Sequence, residues 1–435
     1  MLYDIAFFIF SVLYIPALIF KGKLHKDFLE RFGVYSDVKR EAIWRAKDVI
    51  WIQAVSVGEV ALCKSFIPAL KREFPASSIV LSTITRTGND LAKKLFSGDA
   101  AVIYFPLDFS FIVKNAVKKI RPKLYVMVET EIWPNILKEL CHKHVPAILI
   151  NGRISDRSFG KYKLARKFLV NTLDKVSLFC MQSDIDAGRI KCLGAAAGRV
   201  KVTGNMKFDA DILINSAHGS GIKELLGLKD GDEIFVAGST HGGEEEAVVS
   251  AYKELIKDSP KLKLVIAPRH IERAPEVENI VKRFGLDAVR MTKGQSSPGA
   301  DPSMEPGARG PLAPRVYIID AIGHLNDVYS MAEIVFMGGS LVPHGGQNPI
   351  EPALFAKPVI FGPYMFNFKT VASALLKNNG AIQVKDRKEL FIKADYLLKN
   401  KDARTALGSN ARNIIYENRG ATSRNLRAIK ELVNG

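Results

Sequence analysis

The feature that most constrains this chain is a repeating alternation of short, almost unbroken apolar runs with longer amphipathic stretches. The first set of runs is Val49 to Gln53, Ile79 to Ser82, Val102 to Phe105, Leu124 to Val128, Ala147 to Ile150 and Leu178 to Met181. Segments such as Phe66 to Phe74 and Phe111 to Ile120 lie between them with helical spacing of apolar residues. A strand that is apolar at consecutive positions needs cover on both faces, which parallel strands joined by helical crossovers receive. The pattern therefore specifies a doubly wound α/β domain. It pauses over Gly204 to Gly221, then resumes with Ile234 to Ala237, Leu264 to Ile266, Val316 to Ile319, Ile334 to Met337, Val359 to Phe361 and Ile382 to Val384. A chain of 435 residues exceeds one ordinary core. Two Rossmann-like domains are expected, over 21–210 and 211–435, with a ligand cleft where their strands end. Within the second, 293–314 is rich in Pro, Gly and Ser and reads as a flexible surface insertion.

The first twenty residues depart from this pattern. From Ile5 to Phe20 the chain is apolar except for Ser11, and only Pro16 interrupts it. As a helix it would rise about 24 Å against a hydrocarbon core of ~30 Å, so both a short span and an in-plane anchor are open. A cleaved signal peptide fits poorly, because Met1 to Asp4 carries no basic residue and no small-x-small site follows. Residues 1–20 are read as a membrane-anchoring helix. Lys21, Lys23, Lys26 and Arg31 come after it, which by the positive-inside rule puts the body of the protein in the cytoplasm. Lys and Arg from Lys21 to Lys47 would meet anionic headgroups there, at ~1 kcal/mol each.

Lys plus Arg number 62 against 45 Asp plus Glu, a formal charge of +17, which favours an anionic partner. Nucleic acid is disfavoured, since no RNP, KH or helix-turn-helix pattern is present. Cys63, Cys141, Cys180 and Cys192 show no metal-ligand spacing, and buried inert thiols in a reducing compartment are expected.

Candidate chemistry lies where strands end. Ser56-Val57-Gly58-Glu59 follows the first strand, and Glu59 would begin a helix whose dipole favours the ionised carboxylate. On this fragment alone, a plain helix-capping Glu is the simpler reading. Glu129-Thr130-Glu131-Ile132-Trp133-Pro134 follows another strand; two acids at i and i+2 point apart, so one of them is expected in the cleft. Gly238-Ser239-Thr240-His241-Gly242-Gly243-Glu244 joins strand to helix, where backbone N–H groups can form an anion nest. Arg269, in Pro268-Arg269-His270, is either a bidentate phosphate ligand or a plain surface arginine. Densest of all is Gly338 to Pro352, in which Asn348 would cap a helix, Pro349 would open it, and Glu351 would lie in its first turn, able to accept from ribose hydroxyls.

Taken in order, these blocks resemble the 3-deoxy-D-manno-octulosonic acid (Kdo) transferases of Gram-negative bacteria, inverting enzymes of the GT-B fold. The resemblance rests on Ser56 to Glu59, Thr85-Arg86-Thr87-Gly88, Glu129 to Asn135, Asn151-Gly152-Arg153-Ile154-Ser155, Gly204-Asn205-Met206-Lys207-Phe208-Asp209, Pro268 to His270 and His344 to Glu351. It implies transfer of Kdo from CMP-Kdo to lipid IVA, a lipid A precursor, with no metal or other cofactor. It implies Glu59 as the catalytic base and Glu129 and Lys207 as transition-state stabilisers. It implies CMP contacts at Pro268, Arg269, Ile322, Gly323, His324, Asn348, Pro349, Ile350 and Glu351. Gln53 stands where many members of that family carry His. The alternatives are another GT-B transferase, a sugar-nucleotide epimerase using a different nucleotide, or a non-catalytic membrane scaffold.

Overall fold

The computed structural model describes residues 3–5, 7–8, 27–209, 220–294 and 315–434. The chain divides into two compact units, Met1–Asp211 with Asn418–Gly435, and Ile212–Glu417. The first is built on β1 (Val49–Gln53), β2 (Ile79–Thr83), β3 (Ala100–Tyr104), β4 (Pro122–Val128), β5 (Ala147–Gly152), β6 (Leu178–Met181) and β7 (Val200–Val202). These pair in parallel in the order β3-β2-β1-β4-β5-β6-β7. Successive residues of β1 feed opposite cores. Val49 and Trp51 pack with Phe105 and Tyr125 on one face, Ile50 and Ile52 with Val60 and Phe66 on the other. That two-sided burial is why the strands read as continuous apolar runs. The strand order reverses between β1 and β4, and the chain segments leaving those two strands carry Glu59 and Glu129.

The second unit holds β8 (Glu233–Thr240), β9 (Leu262–Pro268), β10 (Asp287–Arg290), β11 (Arg315–Ile318), β12 (Ile334–Met337), β13 (Val359–Phe361) and β14 (Ala381–Gln383). They too are parallel, in the order β10-β11-β9-β8-β12-β13-β14. Here the reversal falls between β8 and β12. The two chains leave it in close contact: a Cβ on Gly338 would lie 2.3 Å from the Ser239 carbonyl oxygen, so only glycine fits.

Three expectations need correction. Residues 418–435 do not belong with the second unit. The Ala421–Asn434 helix buries Ala421, Leu426, Ala428 and Ile429 in the core that contains Ile52 and Phe66. Lys201–Glu431 (2.7 Å) and Lys430–Glu73 (2.9 Å) flank that contact. The helix is amphipathic, and its apolar stripe matches a face left open on the first sheet. Cys141 and Cys192 are exposed, while Cys63 and Cys180 are buried as expected, and all four are free thiols. Arg31 is not available to a headgroup: its guanidinium donates to the Ile84 carbonyl and lies 5.3 Å from the centre of the Tyr104 ring.

Most of the expected anchor, residues 1–20, and most of the 293–314 insertion lie outside the described residues. The described part of the former docks on the first unit. Asp4 accepts from the Ser110 N–H and from Asn135 Nδ2, each at 2.9 Å. Phe7 meets the rings of Phe109 and Trp133 edge-on at 4.9 and 6.4 Å. Among the described residues, no helix is long and apolar enough to cross a membrane.

Candidate active site

Glu59 lies in the first turn of the Val57–Glu73 helix, which has no side-chain cap hydrogen bond, and its carboxylate folds back onto the turn that precedes the helix. One oxygen accepts from the Val55 N–H, the other from Ser56 Oγ at 3.1 Å. Holding this turn is not the whole of its role. Burial pushes its carboxyl up to about 8, and the neighbouring Glu129 and Glu131 push the same way against the bonds from Val55 and Ser56. The expected dipole stabilisation of the ionised form is outweighed, because removing a carboxylate from water costs more than a helix end returns. Glu131 is likewise raised, to about 6, by burial and by Glu129.

Both acids of the Glu129–Trp133 loop therefore act on Glu59, contrary to the expectation that they point apart. The cause is backbone geometry. Glu129 is left-handed at φ 61°, and the Glu131 N–H closes a tight turn onto the Glu129 carbonyl (3.1 Å), which holds the two acids close together at the end of β4. Beyond it Trp133 precedes, and Pro134 opens, the Pro134–His142 helix as expected.

Lys207 completes the group from the Met206–Asp209 turn. Burial holds its ammonium below the usual lysine range, Arg153 adds to this, and Glu129 and Glu59 oppose it. Two residues fix this turn. Asn151, fully buried and left-handed at φ 52°, accepts from the Met206 N–H at 2.9 Å and places Nδ2 3.5 Å from Glu129 Oε1. Asp209 accepts from the N–H groups of Gly420 and Thr422 at 2.6 and 2.5 Å, tying the turn to the start of the returning C-terminal helix. Glu59, Glu129 and Lys207 are thus brought into mutual electrostatic reach. Glu131 and Asn151 had no assigned role in the sequence. Gln53 is fully buried at the end of β1, where its Oε1 accepts from the Tyr125 hydroxyl.

In the second unit the loops after β8, β9 and β12 bring three imidazoles together. His241 stacks on His344 (4.3 Å, 13°) and meets His270 edge-on at 6.0 Å, and its Nε2 is 3.1 Å from Gln347 Nε2. Burial lowers His241 to about 4, helped by His344, His270, Arg269 and Arg273, so it is neutral near pH 7. Arg273 is taken up by Glu245 (2.7 Å) and Glu276 (2.8 Å). Arg269 is exposed and has no carboxylate partner among the described residues, which leaves it available to an anion.

The anion nest expected at Gly238 to Glu244 is already filled. Glu244 is fully buried, and its carboxylate accepts N–H bonds from His241 (2.9 Å), Gly339 (2.6 Å), Ser340 (2.9 Å) and Leu341 (2.9 Å). The protein's own carboxylate pins the two loops together where a ligand phosphate was anticipated. Asn348 accepts from the Ile350 N–H (3.2 Å) and donates to Glu351 (3.1 Å). The helix itself begins at Ile350, so Pro349 sits one position before its first residue rather than within it. Ile322, Gly323 and His324 lie after β11 and lead into the Leu325–Met331 helix, with Gly323 at φ 105° and the Ile322 side chain exposed. Among the described residues, no hydrogen bond joins that loop to Arg269 or His241. Nor is any cluster of His, Cys, Asp or Glu there arranged to hold a metal ion.

Known proteins share both the fold and the sequence. Over 89% of this chain and the whole of the other, the structure superposes on UDP-GlcNAc 2-epimerase from Neisseria meningitidis bound to UDP-GlcNAc, with a TM-score of 0.57 at 12% identity; that likeness shows the fold alone. A family model described as 3-deoxy-D-manno-octulosonic-acid transferase (kdotransferase) matches residues 26–210. The 3-deoxy-D-manno-octulosonic acid transferase of Haemophilus influenzae is 32% identical over 92% of this chain and 90% of its own length. That of Aquifex aeolicus is 31% identical over 82% and 88%. Similarity running through both units, across the segments that carry Glu59, Lys207 and Arg269 alike, establishes that the chain belongs to the Kdo transferase family.

Proposed function

We propose that this chain is an inverting glycosyltransferase that moves Kdo from CMP-Kdo to a lipid A precursor in lipopolysaccharide biosynthesis. The observation that carries the catalytic reading is the buried Glu59 carboxyl, raised to about 8 beside Glu129, Glu131 and Lys207. A hydroxyl needs a base of matched strength, and a carboxylate with so high an affinity for protons is a far better one than an exposed glutamate. In this reading Glu59 takes the acceptor hydroxyl proton as the oxygen attacks the Kdo anomeric carbon. The bond from that carbon to the CMP phosphate oxygen breaks on the opposite face, and its electron pair leaves with CMP. Lys207 holds the Kdo carboxylate, and Glu129 keeps the lysine charged and in place. Arg269, together with Asn348 and Glu351, holds CMP; preorganised donors of this kind contribute ~3 kcal/mol each at the transition state.

The lipid IVA acceptor and attachment to the cytoplasmic face of the inner membrane are part of the same proposal. The apolar run to Phe20 and the excess of Lys and Arg support them. Incubation with CMP-Kdo and lipid IVA should release CMP and add the mass of Kdo to the lipid. Release of nucleotide only from a UDP-sugar, with no gain of mass from CMP-Kdo, would overturn the reading.

A further inference from the structure

Glu244 fills the nest that the loop backbone would otherwise offer to a phosphate, so an anion at these strand ends must be held by side chains. Those present are His241, His270, His344 and Arg269, on the loops after β8, β9 and β12. Their positions are fixed by the backbone. The Arg269 N–H donates to the Thr240 carbonyl at 2.9 Å, which ties the β9 loop beside His241. His344 is held from behind: its carbonyl accepts from Asn367 Nδ2 at 3.1 Å, and the Asn367 N–H donates to the Gly345 carbonyl at 2.9 Å. Gly345 and Gly346 are left-handed at φ 96° and 73°, and a Cβ on them would lie 2.4 Å from Asn367 Nδ2 and 2.2 Å from Met365 Sδ. Only glycine lets the chain present His344 there.

His344, His270, Arg269 and Arg273 all act on His241 with the same sign. The acids of these loops are turned elsewhere. Glu244 faces four backbone N–H groups, Glu245 and Glu276 face Arg273, and Glu351 faces Asn348. Glu272 is exposed and pairs with none of the imidazoles, and Phe366-Asn367-Phe368 behind His344 is uncharged. Two imidazoles stacked at 4.3 Å resist carrying two charges, so the pair titrates as a unit. Gln347 Nε2, 3.1 Å from His241 Nε2, donates to a neutral ring; turned over, the same amide offers Oε1 to a protonated one. The pair can hold one proton or none without losing that bond. Among the described residues, neither the His270 nor the His344 ring has a hydrogen-bond partner.

We propose that the stacked His241–His344 pair is a proton-linked phosphate subsite, which takes one proton from solvent when the dianionic monoester of a nucleoside monophosphate binds beside Arg269. That the nucleotide is CMP rests on the proposed reaction; the phosphate chemistry does not. The donor's phosphate is a diester with one negative charge. When its bond to the Kdo carbon breaks, the electron pair stays on the phosphate oxygen and the charge becomes two. The proton arrives in that product complex and is given back when CMP leaves. A permanent charge in its place would hold the product more tightly.

Calorimetry of CMP binding to the full chain at pH 7, in buffers of different ionisation enthalpy, counts the protons. The parent should take up about one per CMP, and none with cytidine. From about pH 7 to 8, where the monoester is already a dianion, its affinity should fall about tenfold. His344→Gln should weaken CMP about tenfold at pH 7 and abolish the uptake. His344→Lys should bind CMP without uptake and with an affinity that no longer varies over that range. Because His344 is exposed, both variants should melt with the parent. CMP binding by the parent without proton uptake would overturn the proposal, as would parental uptake in both variants. Binding of UMP with uptake, and none of CMP, would overturn the CMP reading and leave the subsite standing. Binding of neither would overturn both.

Discussion

Asn151 and Glu129 sit at the ends of adjacent parallel strands with left-handed backbones, φ 52° and 61°, and Asn151 Nδ2 lies 3.5 Å from Glu129 Oε1. Both residues lie in the left-handed region, which Asn tolerates well and Glu does not, so the chain turns sharply at the two neighbouring strand ends. Because Asn151 also accepts from the Met206 N–H, it joins the placement of Glu129 to that of Lys207.

Asn151→Asp separates these roles. Aspartate tolerates the backbone and can still accept from Met206, but it loses the donor to Glu129 and adds a fourth carboxylate. We expect kcat to fall about 10- to 100-fold with the KM for CMP-Kdo little changed. The acid limb of the pH–rate profile should also move upward. Steady-state kinetics across pH checks both, and an unmoved limb would remove Asn151 from the site.

Glu59→Gln should reduce turnover by at least about 100-fold, because the amide cannot accept the hydroxyl proton. CMP affinity measured by calorimetry should stay the same, since the contacts proposed for CMP lie on other loops. Retained turnover would exclude Glu59 as the base.

The pH dependence follows from the raised carboxyl. For free enzyme, kcat/KM should climb with pH and level off above about 8, the value to which burial pushes Glu59. Stability runs the opposite way. From pH 4.5 upward the unfolded chain gives up this proton while the folded chain keeps it, so the contribution is full below 4.5 and gone above about 8. Glu59→Gln should therefore melt higher than the parent at about pH 9 and show a flatter decline from about pH 6.

Glu244→Ala leaves buried N–H groups on His241, Gly339, Ser340 and Leu341 without their acceptor. Roughly 3 kcal/mol or more of stability should be lost, and CMP affinity should fall with it as the two loops separate. Denaturant titration and calorimetry measure the two effects. A loss of stability with unchanged CMP binding would confine Glu244 to the scaffold.

The strands buried on both faces were legible, since their sequences can do little else. β7 and β10 were not. Both lie at sheet edges, and Val200–Val202 and Asp287–Arg290 are half-buried or exposed, so neither shows a continuous apolar run. Glu59 was legible as a carboxylate at a strand end, but its elevated proton affinity depends on Glu129 and Glu131, brought beside it through the turn at Glu129. Glu244 was visible only as the last residue of a glycine-containing loop. Its side chain bonds to backbone almost a hundred residues away, which no local pattern encodes.

The return of the C-terminal helix bears on how the protein is made. Asp209, two residues after Lys207, receives its N–H bonds from Gly420 and Thr422, and Ile429 closes the core beside Ile52. During synthesis the second unit, Ile212–Glu417, emerges whole and can complete its own sheet. The first unit, although begun earlier, must wait until Gly420 and Thr422 leave the ribosome before its lysine turn is set. The unit that starts first therefore closes only after the second has been made, and a stop before Gly420 would remove the N–H partners of Asp209, more than two hundred residues upstream.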